Sequence, residues 1–222
     1  MDIYDDPEPP YIDGYISLAM ERPEWGANLP RWTSDIRSLQ ESDGVWDMAL
    51  YSKGESGPIR LTANLQGEFL PGGRIVLMDL ITRQVVDLLP GSAPLVITDY
   101  REEFPYHLKI VAGSASYVES TTEEILASLP AAFALKQNYP NPFNPTTRLE
   151  YSVFRPARVS LKVYNILGQE LVTLADGWQD LGHYTVVWNG RDRFGSQLAS
   201  GIYFAVYTAE GRIMTRKMVM MK

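Results

Sequence analysis

Turn signals cut the carboxy-terminal part of the chain into short alternating segments, and that punctuation leaves few folds open. Asn165 to Gly168, Asp176-Gly177, Asn189-Gly190, Phe194-Gly195 and Glu210-Gly211 are strong turn formers. Between and around them lie Arg148–Val153, Arg158–Tyr164, Glu170–Leu174, Tyr184–Trp188, Ile202–Thr208 and Arg212–Met220, whose composition is that of strands. In Arg158–Tyr164, Val159, Leu161 and Val163 share one parity, and Arg158, Ser160, Lys162 and Tyr164 share the other. This period of two predicts one buried face and one wet face. Roughly six or seven such strands in about 80 residues predict a small immunoglobulin-like sandwich. Pro140, Pro142 and Pro145 precede the first of these strands. Each fixes φ, lacks an amide donor and biases the residue before it toward extended geometry. The run from Tyr139 to Thr147 is therefore excluded from helix and from a central strand. It is expected to be a rigid extended lead-in, with Tyr139 and Phe143 as apolar anchors.

The preceding part has the same strand texture. Tyr11–Ala19, Val45–Tyr51, Ile59–Leu65, Arg74–Leu80, Leu95–Thr98 and His107–Ala112 are separated by Asp43-Gly44, Gly54 to Pro58 and Pro71-Gly72-Gly73. Nothing there has a long helical period. The expected fold is all-β, with two β-sandwich domains in tandem. Its parts are an acidic, proline-rich linker at 1–10, a β-sandwich accessory domain at 11–113, a linker at 114–136 and the immunoglobulin-like domain at 137–222. In the second linker, Thr121–Leu129 can form one or two helical turns, and a flexible connection is the equal alternative. Charge marks the same division. Residues 1–130 hold 21 acidic and 9 basic side chains and the remainder 6 and 11, so net charges of −12 and +5 make up the total of −7.

Composition removes several functions. The chain has no cysteine, which excludes disulfides, thiolate metal sites and thiol catalysis. An acidic balance argues against nucleic acid as a partner. No apolar run reaches the roughly 18–20 residues of a membrane span. The two histidines, His107 and His183, have no second histidine at metal-ligand spacing. Gly54-Glu55-Ser56-Gly57 is not a nucleophile elbow, and Glu102-Glu103 are sequence neighbours rather than acids facing across a cleft. No phosphate-cradling glycine loop is present. Asp5, Asp6 and Glu8 among prolines read as a solvated linker rather than a calcium loop. No enzyme, cofactor or metal is therefore expected. Trp25 and Trp32 are the candidates for an exposed glycan-stacking platform, whereas Trp46 opens an alternating strand and is expected in the core.

The blocks QNYPNPFNPTTRLEYSV, VSLKVYNILGQELVTL, GHYTVVWNGRDRFGSQLASGIYF and RKMVMMK occur in that order. Over Phe133–Lys222 they resemble the type IX secretion system C-terminal sorting domain, and also the immunoglobulin-like fold of a flagellar hook-capping protein. The matching positions are Pro140, Asn141, Pro142, Phe143, Gly168, Gly182, Tyr184, Gly201, Tyr203, Lys217 and Lys222. The resemblance implies export from the periplasm of a Bacteroidota-like bacterium through an outer-membrane translocon. A surface sortase then removes the domain, cleaving before Tyr139, and the cargo is secreted or kept at the cell surface. It also implies that the chain is the tail of a longer precursor. Met218–Met221, bracketed by Lys217 and Lys222, is expected to offer a terminal strand edge to a receptor. The blocks IVLMDLITRQVVDL and YHLKIVAGS are similar to the β-domain that precedes such sorting domains. The alternative is a module attached to a secreted enzyme that binds a glycan or surface polymer.

Overall fold

The computed structural model describes residues 15–21, 31–32, 43–53, 57–62, 72–88, 92–98, 100–101 and 105–221. The chain divides into two compact units, residues 1–128 and 129–222. The acidic linker expected at 1–10 lies outside the described residues.

In the first unit the strands are β1 (Tyr15–Glu21), β2 (Arg31–Trp32), β3 (Gly44–Lys53), β4 (Ile59–Leu61), β5 (Gly73–Asp79), β6 (Val85–Asp87), β7 (Leu95–Ile97) and β8 (Tyr106–Ser114). Six of them form a sheet in the order β2-β1-β3-β8-β5-β6, and β4 pairs with β7 in a small second sheet. Every pairing is antiparallel. Alternation assigns the faces. Met48 and Leu50 of β3, Leu77 of β5 and Tyr106 and Leu108 of β8 form one core with Ile59, Leu95 and Ile97 of the small sheet. Ala49, Val76, Met78 and Val111, of the other parity, are also buried.

A helix, α1 (Ala115–Ser128), follows β8 directly and packs on β5 and β8. Here the structure corrects the expectation of a linker at 114–136, because its first half is regular helix and belongs to the first unit. The Ser114 hydroxyl accepts the Tyr117 amide at 3.3 Å, as an N-cap does. The Ser114 amide in turn donates to Asp43 at 2.9 Å. Gly113 is required at this corner: its φ is +152°, and a Cβ there would overlap the Asp43 carboxylate and the Tyr117 ring. Ser, Thr and Glu in this stretch resemble a linker, but docking that fully buries Val118 stabilises the helix where propensity alone does not.

The second unit contains β9 (Ala134–Leu135), β10 (Thr147–Val153), β11 (Ala157–Tyr164), β12 (Glu170–Gln179), β13 (Gly182–Trp188), β14 (Gly201–Ala209) and β15 (Arg212–Met220). The first, second and fifth of these form the sheet β13-β10-β9, and the rest form β12-β11-β14-β15. Seven antiparallel strands in a three-plus-four sandwich are the immunoglobulin arrangement. The inward residues follow the expected parity: Ala157, Val159, Leu161 and Val163 of β11 and Tyr203, Ala205, Tyr207 and Ala209 of β14 are all buried. They meet Leu149, Tyr151 and Val153 of β10. The Tyr207 hydroxyl donates across the core to the Ser152 carbonyl at 3.1 Å, tying the two sheets together.

Candidate recognition site at the terminal strand

The proline segment passes from one sheet to the other. Tyr139 exchanges both backbone hydrogen bonds with Arg148, each 2.9 Å, beside β10. Cis bonds follow at Tyr139-Pro140 and Asn141-Pro142. Phe143 then bridges β15 in parallel: its amide donates to Val219 O at 3.0 Å, and its carbonyl accepts the Met221 amide at 2.9 Å. Between these points the Asn141 side chain acts as a strand would. Its Oδ1 accepts the Val219 amide at 2.9 Å, and its Nδ2 donates to Lys217 O at 3.3 Å. Gln137 Nε2 donates to the same carbonyl at 2.8 Å.

These bonds correct the expectation that Met218–Met221 is an open docking edge. Unpaired edge groups seek partners, and here the chain's own segment supplies them for residues 217 to 221. The part of Lys217 that the motif touches is its carbonyl; its side chain is exposed. Lys222 lies outside the described residues.

The crossing is held from below. Asn138 and Thr147 are buried polar residues, 2% and 1% exposed. Asn138 Nδ2 donates to Pro140 O at 3.0 Å and to Thr147 Oγ1 at 2.9 Å, and Thr147 Oγ1 donates to Pro140 O at 2.8 Å. Full satisfaction is what lets such groups be buried without a large cost. The Phe143 ring is buried against Trp188, centroids 5.5 Å apart, and Trp188 meets Tyr203 edge-on at 5.4 Å. Trp188 Nε1 donates to Arg191 O at 2.9 Å. A Cβ on Gly190 would sit 2.8 Å from the Met220 sulfur, so Asn138, Thr147, Trp188 and Gly190 belong to the site although none is among the matching positions. The one available signal was polar residues flanking the proline run.

The remaining motif residues distribute over the sandwich. Gly168 has φ +74° in a turn where Asn165 Oδ1 accepts the Leu167 and Gln169 amides, each 3.0 Å, leaving Ile166 and Leu167 exposed at the tip. Tyr164 pairs with Phe204, so this turn lies at the end where β14 begins, beside Gly201 and Tyr203. Gly182 and Tyr184 lie at the opposite end of the strands, where Gly182 pairs with Val153. The two Gly-x-Tyr motifs are nevertheless built alike. Tyr184 donates to Asp180 O at 2.8 Å and Tyr203 to Ala199 O at 2.6 Å, each four residues upstream. Such a bond at the start of the sixth strand is the tyrosine corner of immunoglobulin folds. A Cβ on Gly182 or Gly201 would touch the tyrosine ring at 3.5 or 3.9 Å, so each ring lies over its glycine. Burial pushes both phenols above their ordinary value.

Trp25 lies outside the described residues, and Trp32 is placed only as part of the edge strand β2. Trp46 packs partly buried against the first core. His183 lines a groove of about 340 Å³ in the second unit, with the Lys136–Glu150 pair at 3.0 Å. Among the described residues no group of three His, Cys, Asp or Glu is placed to hold a metal ion. No helix among them is long and apolar enough to cross a membrane.

Residues 137–221 match the family model of the secretion system C-terminal sorting domain. No curated protein matches the chain. Among solved structures, dimeric latent PorU from Porphyromonas gingivalis is 11% identical with a TM-score of 0.33, over 81% of this chain and 18% of that one. PorZ, described as an essential surface component of the type-IX secretion system of the same organism, is 15% identical with a TM-score of 0.29, over 66% of this chain and 22% of that one. An FMN-binding beta-glucuronidase from Facaelibacterium prausnitzii L2-6 is 10% identical with a TM-score of 0.24, over 92% and 38%. The chain spans about a fifth of the length of PorU and PorZ, and likenesses this distant carry no argument about what it does.

Proposed function

We propose that the chain is a non-catalytic portion of a secreted or cell-surface protein, and that residues 137–222 direct its export through the type IX system. The family match over 137–221 carries this reading. The partners are an outer-membrane translocon and a surface sortase, reached after transit through the periplasm. The motif residues support recognition of a folded domain rather than of a linear peptide. Pro140, Asn141 and Phe143 are bonded or packed into the sandwich, and Gly182, Tyr184, Gly201 and Tyr203 form its two tyrosine anchors. No described residue favours the alternative of glycan binding through Trp25 and Trp32.

The test uses a reporter with a periplasmic signal, fused ahead of the full chain in a bacterium that has a type IX system. The full chain should bring the reporter to the surface or the medium. The same fusion lacking residues 129–222 should remain periplasmic. Equal delivery by both would overturn the reading.

A further inference from the structure

The outer edge of β15 divides at Lys217. Beyond it, residues 217 to 221 are closed by Gln137, Asn141 and Phe143. Before it, Arg212–Arg216 has a hydrogen-bonded strand on one side only among the described residues, since β15 ends its sheet and its outer bridge is Phe143↔Met220; β9 approaches β15 without pairing with it. The β14–β15 register runs unbroken from Gly201↔Met220 to Ala209↔Arg212. Antiparallel alternation therefore turns the backbone groups of Ile213 and Thr215 outward, as it does those of Val219. Thr215 O receives a long 3.4 Å contact from Arg216 Nη1. Ile213 is 70% exposed.

Charge decides what can pair there. Arg212 and Arg216 are exposed and have no ion-pair partner among the described residues. A second copy pairing antiparallel about Met214 would set Arg212 opposite Arg216 at both ends. Like charges directly opposite destabilise a strand pair, so this register is disfavoured for a second copy. A strand with acidic residues four apart reverses the sign of both contacts and places its middle residue opposite Met214. We propose that Arg212–Arg216 accepts an extended acidic segment of a partner protein as a fifth strand. The backbone of Ile213 and Thr215 would supply the hydrogen bonds, and Arg212 and Arg216 the selectivity. This inference does not depend on export, and binding to the purified chain tests it separately.

The probe is the synthetic peptide Ser-Thr-Glu-Thr-Val-Thr-Glu-Thr-Ser, titrated to millimolar concentration into the full chain and followed by NMR. Saturable shifts and slowed exchange at the Ile213 and Thr215 amides are expected, weakening with added salt. The peptide with lysine at both acidic positions should not bind. The double variant Arg212→Glu, Arg216→Glu should bind the acidic peptide roughly tenfold more weakly and should now take the lysine peptide. Thr215→Pro removes an outward amide without touching the charges and should abolish both. Circular dichroism of each variant confirms its fold. No binding by the unaltered chain, equal binding of acidic and lysine peptides, or protection located elsewhere would overturn the proposal.

Discussion

Replacing Phe143 by alanine measures how firmly the proline segment is seated. The ring is 2% exposed and packs on Trp188 within the second core. Truncating a buried phenylalanine costs about 3–5 kcal/mol, because transfer energy is lost and a cavity remains. A unit the size of residues 129–222 is stabilised by about 5–14 kcal/mol in total. The substitution therefore removes between a fifth and nearly all of the stability of the second unit. It leaves the backbone bonds from residue 143 to Val219 and Met221 chemically available, so the loss reports on the side chain. Native-state hydrogen exchange is the assay. The amides of β14 and β15, where Tyr203 pairs with Met218, should exchange faster by an amount equal to the lost free energy. Amides of β8 in the first unit serve as the reference and should not change. A loss below about 1 kcal/mol in the second unit would mean that the ring is not a core residue, and the seating of the proline segment through Phe143 would be refuted.

Gly190 has φ +70°, and a Cβ there would sit 2.8 Å from the Met220 sulfur and 3.0 Å from the Pro145 carbonyl oxygen. Gly190→Ala should therefore cost about 2–4 kcal/mol in urea unfolding, from left-handed strain and overpacking together, and a neutral result would contradict the close approach. Tyr203→Phe removes the 2.6 Å bond to Ala199 O without opening a cavity. It should lower stability by about 0.5–1.5 kcal/mol, with Tyr184→Phe similar; calorimetric melting checks both, and no change in either would remove the anchor role. Burial holds the Tyr151, Tyr184 and Tyr207 phenols above their ordinary value of 10.0. Their contribution is complete below pH 10, where unfolded tyrosine is neutral, and is lost as pH rises through the higher folded values. Phenolate absorbance from these three should therefore appear together with unfolding of the second unit; full ionisation near pH 10 in the folded state would oppose the assignment.

Much of the second unit was legible because a strand announces itself locally. Val159, Leu161 and Val163 alternate within a single segment, and Gly168 closes a turn that Asn165 begins. The sorting-domain resemblance likewise followed from blocks read in order. The helix at Ala115–Ser128 was harder, since its composition matches a solvated connection and the face it packs on is completed by β5, which is distant in the chain. Asn138 and Thr147 were missed for a related reason. Neither is unusual beside a proline run, and their importance comes from both reaching one carbonyl, that of Pro140.

From its residues alone, then, the chain is committed to short alternating strands, to two differently charged segments and to a proline stretch that can be neither helix nor central strand. Those properties depend on neighbours within a few residues. Only the folded sandwich decides that the proline stretch changes sheets, that Asn141 lends its side chain to the edge of β15, and that this edge is closed at Val219 yet open at Ile213. Pairings between residues more than 70 positions apart are selected by the packing of two sheets and the demand that edge hydrogen bonds be met, and no local pattern encodes either.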